Sequence, residues 1–228
     1  TRVFDEELYA DNTVNMFEYL RKKLGFGVKL THDVHEHLRP NVAVSLAKRL
    51  EPYRLFFVED ILPPEQIAYF RLIRQQCTTP QAMGELFVNV QEYLPLISER
   101  LIDFIRVRVS KVGGITQAQK IAHLCEFFGV QTAWQEGGNT DPINQTAAYH
   151  LDMATWNFGI QESVPFGAET LEVFPGCPRI EKGYMYVNES PGRGVDLDEK
   201  AAARFPVPPD HTGWWKQIRR RDGTSVRP

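Results

Sequence analysis

Three acidic residues recur at equal intervals along the first half of the chain, and this spacing most constrains the fold. Asp33, Glu59 and Glu85 each end a short run of β-branched, aromatic or small apolar residues, and 26 residues separate each acid from the next. A repeat of this length is typical of a strand followed by a helix that returns the chain to the next parallel strand. The pattern therefore predicts parallel strands with an acid at each carboxyl end.

Two later polar residues continue the repeat. Gln135 follows Glu85 by 50 residues, close to two units, and Glu162 follows Gln135 by 27. The predicted strands are residues 28–34, 55–59, 81–85, 102–109, 130–135 and 157–162. The predicted helices are residues 12–24, with Asn12 as cap, 40–50, 64–76, 90–98, 116–128 and 141–154. In a parallel barrel all the carboxyl ends of the strands open onto one rim, where active sites lie.

The predicted fold class is α/β, a TIM-type barrel, with residues 1–162 supplying βα units. Only six strands are visible, whereas a closed barrel of this kind needs eight. We therefore expect two strands and their helices to precede Thr1 in the natural protein. Residues 163–228 are rich in proline and glycine and lack a sustained helical period. They are predicted to be a loop and tail segment that packs on the barrel.

The composition narrows the function classes. A formal net charge of −3 is a poor basis for nucleic-acid binding, and 43% hydrophobic residues are ordinary for a globular protein. Every apolar run is far shorter than the roughly 20 residues that cross a bilayer. Three scattered cysteines without a C-x-x-C pair suit a reducing compartment, and the acidic start is unlike a secretory signal. A cytoplasmic protein is predicted.

Three acids at one rim would repel each other unless a cation lay between them. Ligation by oxygen alone, with room for water and substrate, favours Mg²⁺. A single acid at a strand end more often caps the next helix or faces solvent, but three at an even spacing favour a metal site. On an extended segment His35 would share a face with Asp33, which would place an imidazole able to move a proton near neutral pH beside the ion. His32 and His37 are predicted to be structural or exposed.

Several motifs accompany the three strand-end acids. They are residues 32–36 (HDVHE), 50–60 (LEPYRLFFVED), 112–116 (VGGIT), 157–162 (NFGIQE), 191–199 (PGRGVDLDE) and 222–224 (DGT). Together with acids in the order Asp, Glu, Glu, which is the metal site of the enolase superfamily, they resemble that superfamily and, within it, the D-mannonate dehydratase family.

The resemblance implies a (β/α)7β barrel, here without its first strands and its N-terminal capping domain, and a homo-oligomer. It implies that Mg²⁺ binds the carboxylate of a sugar acid such as D-mannonate or D-gluconate, that a proton leaves the adjacent carbon, and that the neighbouring hydroxyl is expelled to give a 2-keto-3-deoxy acid. Matched residue by residue, it implies metal ligation by Asp33, Glu59 and Glu85, acid/base catalysis by His35, and substrate contacts from His35, Gln135, Asp141 and Glu162.

Two departures leave alternatives open. The family's seventh strand ends in a His, which Gln135 replaces here, and an amide cannot shuttle a proton. The family's Tyr and Arg base would lie upstream of this chain, because Tyr9 is wrongly placed to be that Tyr. The leading hypothesis is a Mg²⁺-dependent sugar-acid dehydratase. A sugar-acid-binding regulatory protein without turnover is the alternative, and a racemase or epimerase ranks lower.

Overall fold

The computed structural model describes residues 3–138, 140–206 and 219–226. Its strands are β1 (Val3–Phe4), β2 (Thr31–Asp33), β3 (Phe57–Glu59), β4 (Gln81–Met83), β5 (Phe104–Ile105), β6 (Gln131–Thr132), β7 (Arg179–Glu181), β8 (Tyr184–Tyr186) and β9 (Arg219–Arg220). Its α-helices are α1 (Glu6–Leu24), α2 (Pro40–Leu50), α3 (Phe70–Gln76), α4 (Val90–Ser98), α5 (Ile115–Phe128), α6 (Pro142–Ala154), α7 (Ala168–Val173) and α8 (Glu199–Ala202). Two 3₁₀ segments are Glu51–Tyr53 and Pro64–Tyr69.

Local capping explains where the helices begin. Both α2 and α4 have the predicted bounds: α2 opens on Pro40, and α4 opens with a capping box between Asn89 and Glu92. The prediction that Asn12 caps the first helix is wrong. Asp5 is the cap, and its carboxylate accepts from the Leu8 amide at 3.1 Å, so α1 starts six residues earlier than predicted.

The central sheet has five parallel strands in the order β2-β3-β4-β5-β6, which confirms the predicted α/β architecture. The predicted strand at 157–162 is reduced to one parallel bridge between Phe158 and Thr132. The strands are also shorter than predicted, so Glu85 lies two residues beyond β4 and Gln135 three beyond β6. After β4 the chain turns at Gly84, φ 144°, where an added Cβ would lie only 2.9 Å from the Val107 amide nitrogen.

Alternating residues of the strands face two apolar layers. One set, including Val58, Met83 and Ile105, belongs to the large core shared with the helices. The other set forms a small cluster, Phe57, Ala82, Phe104 and Ala133, within the curve of the sheet. The polar residues that follow the strands lie outside these two layers, at the rim formed by the carboxyl ends of the strands.

The last described segment returns to the start of the chain. Strand β9 pairs in parallel with β1, and Arg220 donates from Nη2 to the backbone carbonyl of His37 at 2.6 Å. The end of the chain thus touches the loop that follows β2. Residues 163–206 supply α7, the β7–β8 hairpin and α8, and the division at residue 162 stays a prediction. Within the described ranges, no helix has the length and apolar character to cross a membrane.

Candidate active site

Asp33 and Glu59 lie side by side at the rim. Each is the last residue of its strand, and the parallel register of β2 and β3 sets them opposite each other. Glu85 follows the neighbouring strand β4. Burial raises the pKa of Asp33, and the nearby Glu85 carboxylate adds to that rise. The structure therefore brings the three predicted metal ligands to one edge of the sheet.

Two buried acidic residues, Glu59 and Asp60, are adjacent at this edge of the sheet. Glu59 is only 6% exposed, and burial, opposed by Arg106 and reinforced by Asp33, raises its pKa to about 7. Asp60 is fully buried beside it, and burial together with Glu59 raises the pKa of Asp60 well above its usual range. A cation at the rim would stabilise the ionised forms of all these acids.

The Glu85 carboxylate lies near three basic side chains. Its carboxylate lies 4.0 Å from His35 Nε2, 4.0 Å from Arg108 Nη2 and 4.0 Å from Lys111 Nζ. In the parts of the chain that the structure describes, no three His, Cys, Asp or Glu side chains are already arranged around a point that a metal ion could occupy.

The three acids nevertheless fit Mg²⁺ by their donor chemistry. Carboxylate oxygens are the protein ligands that this hard cation prefers. Burial raises the pKa values of Asp33 and Glu59, so a cation bound beside them would favour their ionised forms. These two residues and Glu85 are the ones that would hold the ion.

His35 reaches the site by a different backbone path from the predicted one. The expectation that it continues an extended strand beyond Asp33 is wrong, because His35 is in the left-handed region, φ 58°, and Glu36 follows at φ 61°. The turn is closed by the His35 amide, which donates to Asp33 Oδ1 at 2.8 Å. The turn leaves the imidazole within 4.0 Å of Glu85, so it still borders the acids.

Arg106 is the central residue that the sequence analysis missed. It is 4% exposed and donates from Nε to Glu59 at 2.8 Å and from Nη2 to Glu162 at 2.9 Å. It also donates from Nη1 to the carbonyls of Ala133 and Trp134. A basic residue after a strand was the available signal: Arg106 lies 21 residues beyond Glu85, short of the 26-residue repeat.

Gln135 and Glu162 each accept a hydrogen bond from an arginine of the site. Gln135 is 7% exposed, and its Oε1 accepts from Arg108 Nε at 2.8 Å. Glu162 Oε2 accepts from Arg106 and also from the Glu136 amide at 3.0 Å. Two of the residues predicted to contact substrate are therefore held by the arginines that also border the acids.

Asp141 and His32 have structural partners. Asp141 caps α6, and its Oδ1 accepts from the amides of Ile143 and Asn144 at 3.0 Å each. Its predicted contact with substrate stays a prediction. His32 Nε2 lies 3.0 Å from the Tyr9 hydroxyl, and burial lowers the pKa of His32. This agrees with the structural role predicted for His32.

Comparison with known families and curated proteins gives consistent matches. The family described as Enolase C-terminal domain-like matches residues 4–201. A D-galactonate dehydratase family member from Paenibacillus sp. is 55% identical over 99% of this chain and 56% of its own length. One from Musicola paradisiaca is 50% identical over 99% of this chain and 54% of its own. The chain thus spans about half the length of the curated relatives it matches.

Solved structures show the same architecture. An enolase from Pantoea ananatis, crystallised with bound D-gluconate and Mg, superposes with a TM-score of 0.96 at 49% identity, over 100% of this chain and 56% of that one. A mandelate racemase/muconate lactonizing enzyme from Jannaschia sp. superposes with a TM-score of 0.78 at 25% identity, over 86% of this chain and 50% of that one.

Proposed function

Because the chain belongs to the Enolase C-terminal domain-like family, we propose that it is the barrel portion of a Mg²⁺-dependent sugar-acid dehydratase, a hydro-lyase. The predicted enolase-superfamily resemblance is confirmed by this match. The curated relatives are named as a D-galactonate dehydratase family, whereas the motifs resembled the D-mannonate dehydratase family. We propose D-mannonate or D-gluconate as substrate and 2-keto-3-deoxy-gluconate as product.

The observation that carries the proposal is the register of Asp33 opposite Glu59, with the Glu85 carboxylate close enough to raise the pKa of Asp33. The relative crystallised with D-gluconate and Mg supports the choice of ion and ligand class. When bound, Mg²⁺ would draw electron density from the substrate carboxylate and so make the proton on the adjacent carbon more acidic.

Three side chains of this chain have roles in the proposed reaction. His35, at the edge of the acids, would protonate the departing hydroxyl so that it leaves as water. Arg106 donates to both Glu59 and Glu162, so it would hold Glu59 in place for the ion and Glu162 in place for the substrate. Gln135 offers hydrogen bonds but no proton transfer, so it would orient a hydroxyl of the substrate.

The decisive experiment is a screen of hexonates and pentonates with the complete protein and Mg²⁺, assayed for 2-keto-3-deoxy products. Formation of such a product from mannonate or gluconate supports the dehydratase. Its absence with every acid, under conditions where the protein is folded and binds Mg²⁺, would contradict the dehydratase.

Gln135 also fits a second function, because its amide can form hydrogen bonds but cannot transfer a proton. A protein that binds a sugar acid and regulates another process would need the ion and the hydrogen bonds but no proton shuttle. Calorimetric binding of a hexonate without turnover would favour it. A racemase or epimerase is less favoured, because it needs acid/base groups on both faces of the reacting carbon and Gln135 occupies the most obvious opposite position.

We further propose that the complete protein is a cytoplasmic homo-oligomer. The oligomer follows from the family resemblance alone, and gel filtration with light scattering tests it. The cytoplasmic setting is supported by Cys77, Cys125 and Cys177, all of which are free thiols.

A further inference from the structure

Arg108 and Gln135 form a buried polar pair at the rim. Arg108 is 8% exposed and Gln135 is 7% exposed. The guanidinium donates to Gln135 Oε1 from Nε at 2.8 Å and also from Nη2. Two donors from one rigid fork thus converge on a single amide oxygen.

This contact fixes which way the Gln135 amide points. A guanidinium carries only donors, so the atom that faces Arg108 must be the oxygen, and a flipped amide would set donor against donor. The amide nitrogen therefore faces away from Arg108. A buried donor without a partner is costly, so Arg108 strongly favours one of the two amide orientations.

The outward nitrogen of Gln135 and a carboxylate oxygen of Glu162 both lie close to the same face of Gly137. The point where a Cβ on Gly137 would lie is 3.2 Å from Gln135 Nε2 and 3.3 Å from Glu162 Oε1. The other Glu162 oxygen is held by Arg106 and the Glu136 amide. Among the described residues, neither Gln135 Nε2 nor Glu162 Oε1 makes a hydrogen bond. One hydrogen-bond donor, Gln135 Nε2, and one acceptor, Glu162 Oε1, therefore lie beside a residue that has no side chain.

We propose that Arg108 is a positioning residue that locks Gln135 so that its Nε2 donates to one hydroxyl of the sugar acid, while Glu162 Oε1 accepts from the same hydroxyl over Gly137. The inference rests on the proposed function and deepens it. It makes the notch formed by Gln135, Gly137 and Glu162 a specificity determinant, because a substrate that lacks the hydroxyl leaves the Gln135 donor and the Glu162 acceptor without that partner.

The first test compares Arg108→Lys with the unchanged complete protein. Calorimetry in Mg²⁺ measures the dissociation constants of D-gluconate and of each monodeoxy-D-gluconate. For the unchanged protein we expect one deoxy position to weaken binding by about 10- to 100-fold. In Arg108→Lys that penalty should fall to about 3-fold or less, since a single ammonium cannot hold the amide as the fork does. Arg71→Lys, at an exposed pair with Glu99, is the matched control.

A second pair of variants tests the notch without removing a buried charge. Gly137→Ala should weaken D-gluconate binding by about 10-fold, because its Cβ would crowd Gln135 Nε2 and Glu162 Oε1. Gly138→Ala should bind as the unchanged protein does, since its Cβ would meet only Val164 at ordinary distances from 3.7 Å. Thermal unfolding of both variants checks that they fold.

The outcomes separate this inference from the proposed function. If the unchanged protein binds no hexonate in Mg²⁺, the proposed function fails and the inference fails with it. If it binds D-gluconate but Arg108→Lys keeps the full penalty at the same deoxy position, or Gly137→Ala and Gly138→Ala bind alike, the positioning role is overturned and the proposed function stands.

Discussion

Arg106 links Glu59 to Glu162, and so joins the residues proposed to hold the ion to those proposed to hold the substrate. Burial alone would lower the pKa of Arg106, but the two carboxylates outweigh it and the pKa is raised. The guanidinium therefore stays charged. Arg106 is a buried cation among the acids Glu59, Asp60 and Glu162, so we expect metal affinity to depend on each acid that is removed.

Glu59→Gln should weaken Mg²⁺ binding by about 100-fold, because it removes a ligand charge while keeping the shape of the side chain and one acceptor for Arg106. Titration calorimetry of the complete protein measures the change. Glu99→Gln is the matched control, because Glu99 is exposed and pairs only with Arg71 among the described ion pairs. Equal Mg²⁺ affinity in Glu59→Gln and the unchanged protein would refute the metal site.

His35→Asn should lower the rate of dehydration by about 10²- to 10³-fold, because it removes the group proposed to protonate the leaving hydroxyl. Binding of Mg²⁺ and of D-gluconate should change by less than about 3-fold, since Asn retains hydrogen-bonding capacity. Single-turnover kinetics and calorimetry separate the two effects. His123→Asn, at an exposed position on α5, is the control, and an undiminished rate in His35→Asn would exclude the role.

At the scale of elements, the helices were the more predictable part. The bounds of α2 and α4 follow from local signals, Pro40 at a first turn and the capping box at Asn89, and such signals lie within a few residues of the helix end. The five strands of the central sheet were predicted in the right places but too long, and β1, β7, β8 and β9 were not predicted. The end of a strand depends on its pairing with a neighbouring strand, which lies far away in the sequence.

The 26-residue repeat predicted that Asp33 and Glu59 lie at the ends of neighbouring strands. Asp33 and Glu59 are in register because equal units produce equal strand ends. The turn at His35 and the roles of Arg106 and Arg108 depend on contacts between residues far apart in the chain, such as Arg106 with Glu59. A single sequence contains no periodic signal for such contacts.

Strand β9 contacts the loop that bears His35 through the Arg220 side chain. Substitution of Arg220 therefore tests whether this contact stabilises the loop. Arg220→Met removes the donor to the His37 carbonyl and the ion pair with Glu6, so amide hydrogen exchange in residues 35–38 should accelerate by about 5- to 10-fold, with a loss of about 1 kcal/mol in the free energy of unfolding. Exchange mass spectrometry resolves the segment. Among the ion pairs of the described residues, Arg221→Met removes only the one with Asp5, so it should leave exchange in residues 35–38 unchanged. Equal exchange in both variants would disprove the support.

For the molecule as a whole, two acids buried apart from the three strand-end acids link folding to pH. Burial raises the pKa of Glu136 to about 7 and that of Asp152 to about 8. In the unfolded chain both groups titrate near 4. Between these limits the folded chain binds more protons than the unfolded chain, so the free energy of unfolding should decrease as pH rises from about 4 to about 8.

Asp152→Asn should flatten that decrease, because both carboxylate oxygens are buried and the amide keeps their shape without titrating. At pH 8 the variant should be more stable than the unchanged protein by on the order of 4 kcal/mol, whereas at pH 4, where Asp152 is protonated in the folded state and only about half ionised in the unfolded chain, the two should differ by less than about 1 kcal/mol. Urea unfolding at both pH values measures this. Asp196→Asn, at an exposed site, should keep the original slope. If Asp152→Asn keeps it as well, burial of Asp152 does not set the pH dependence.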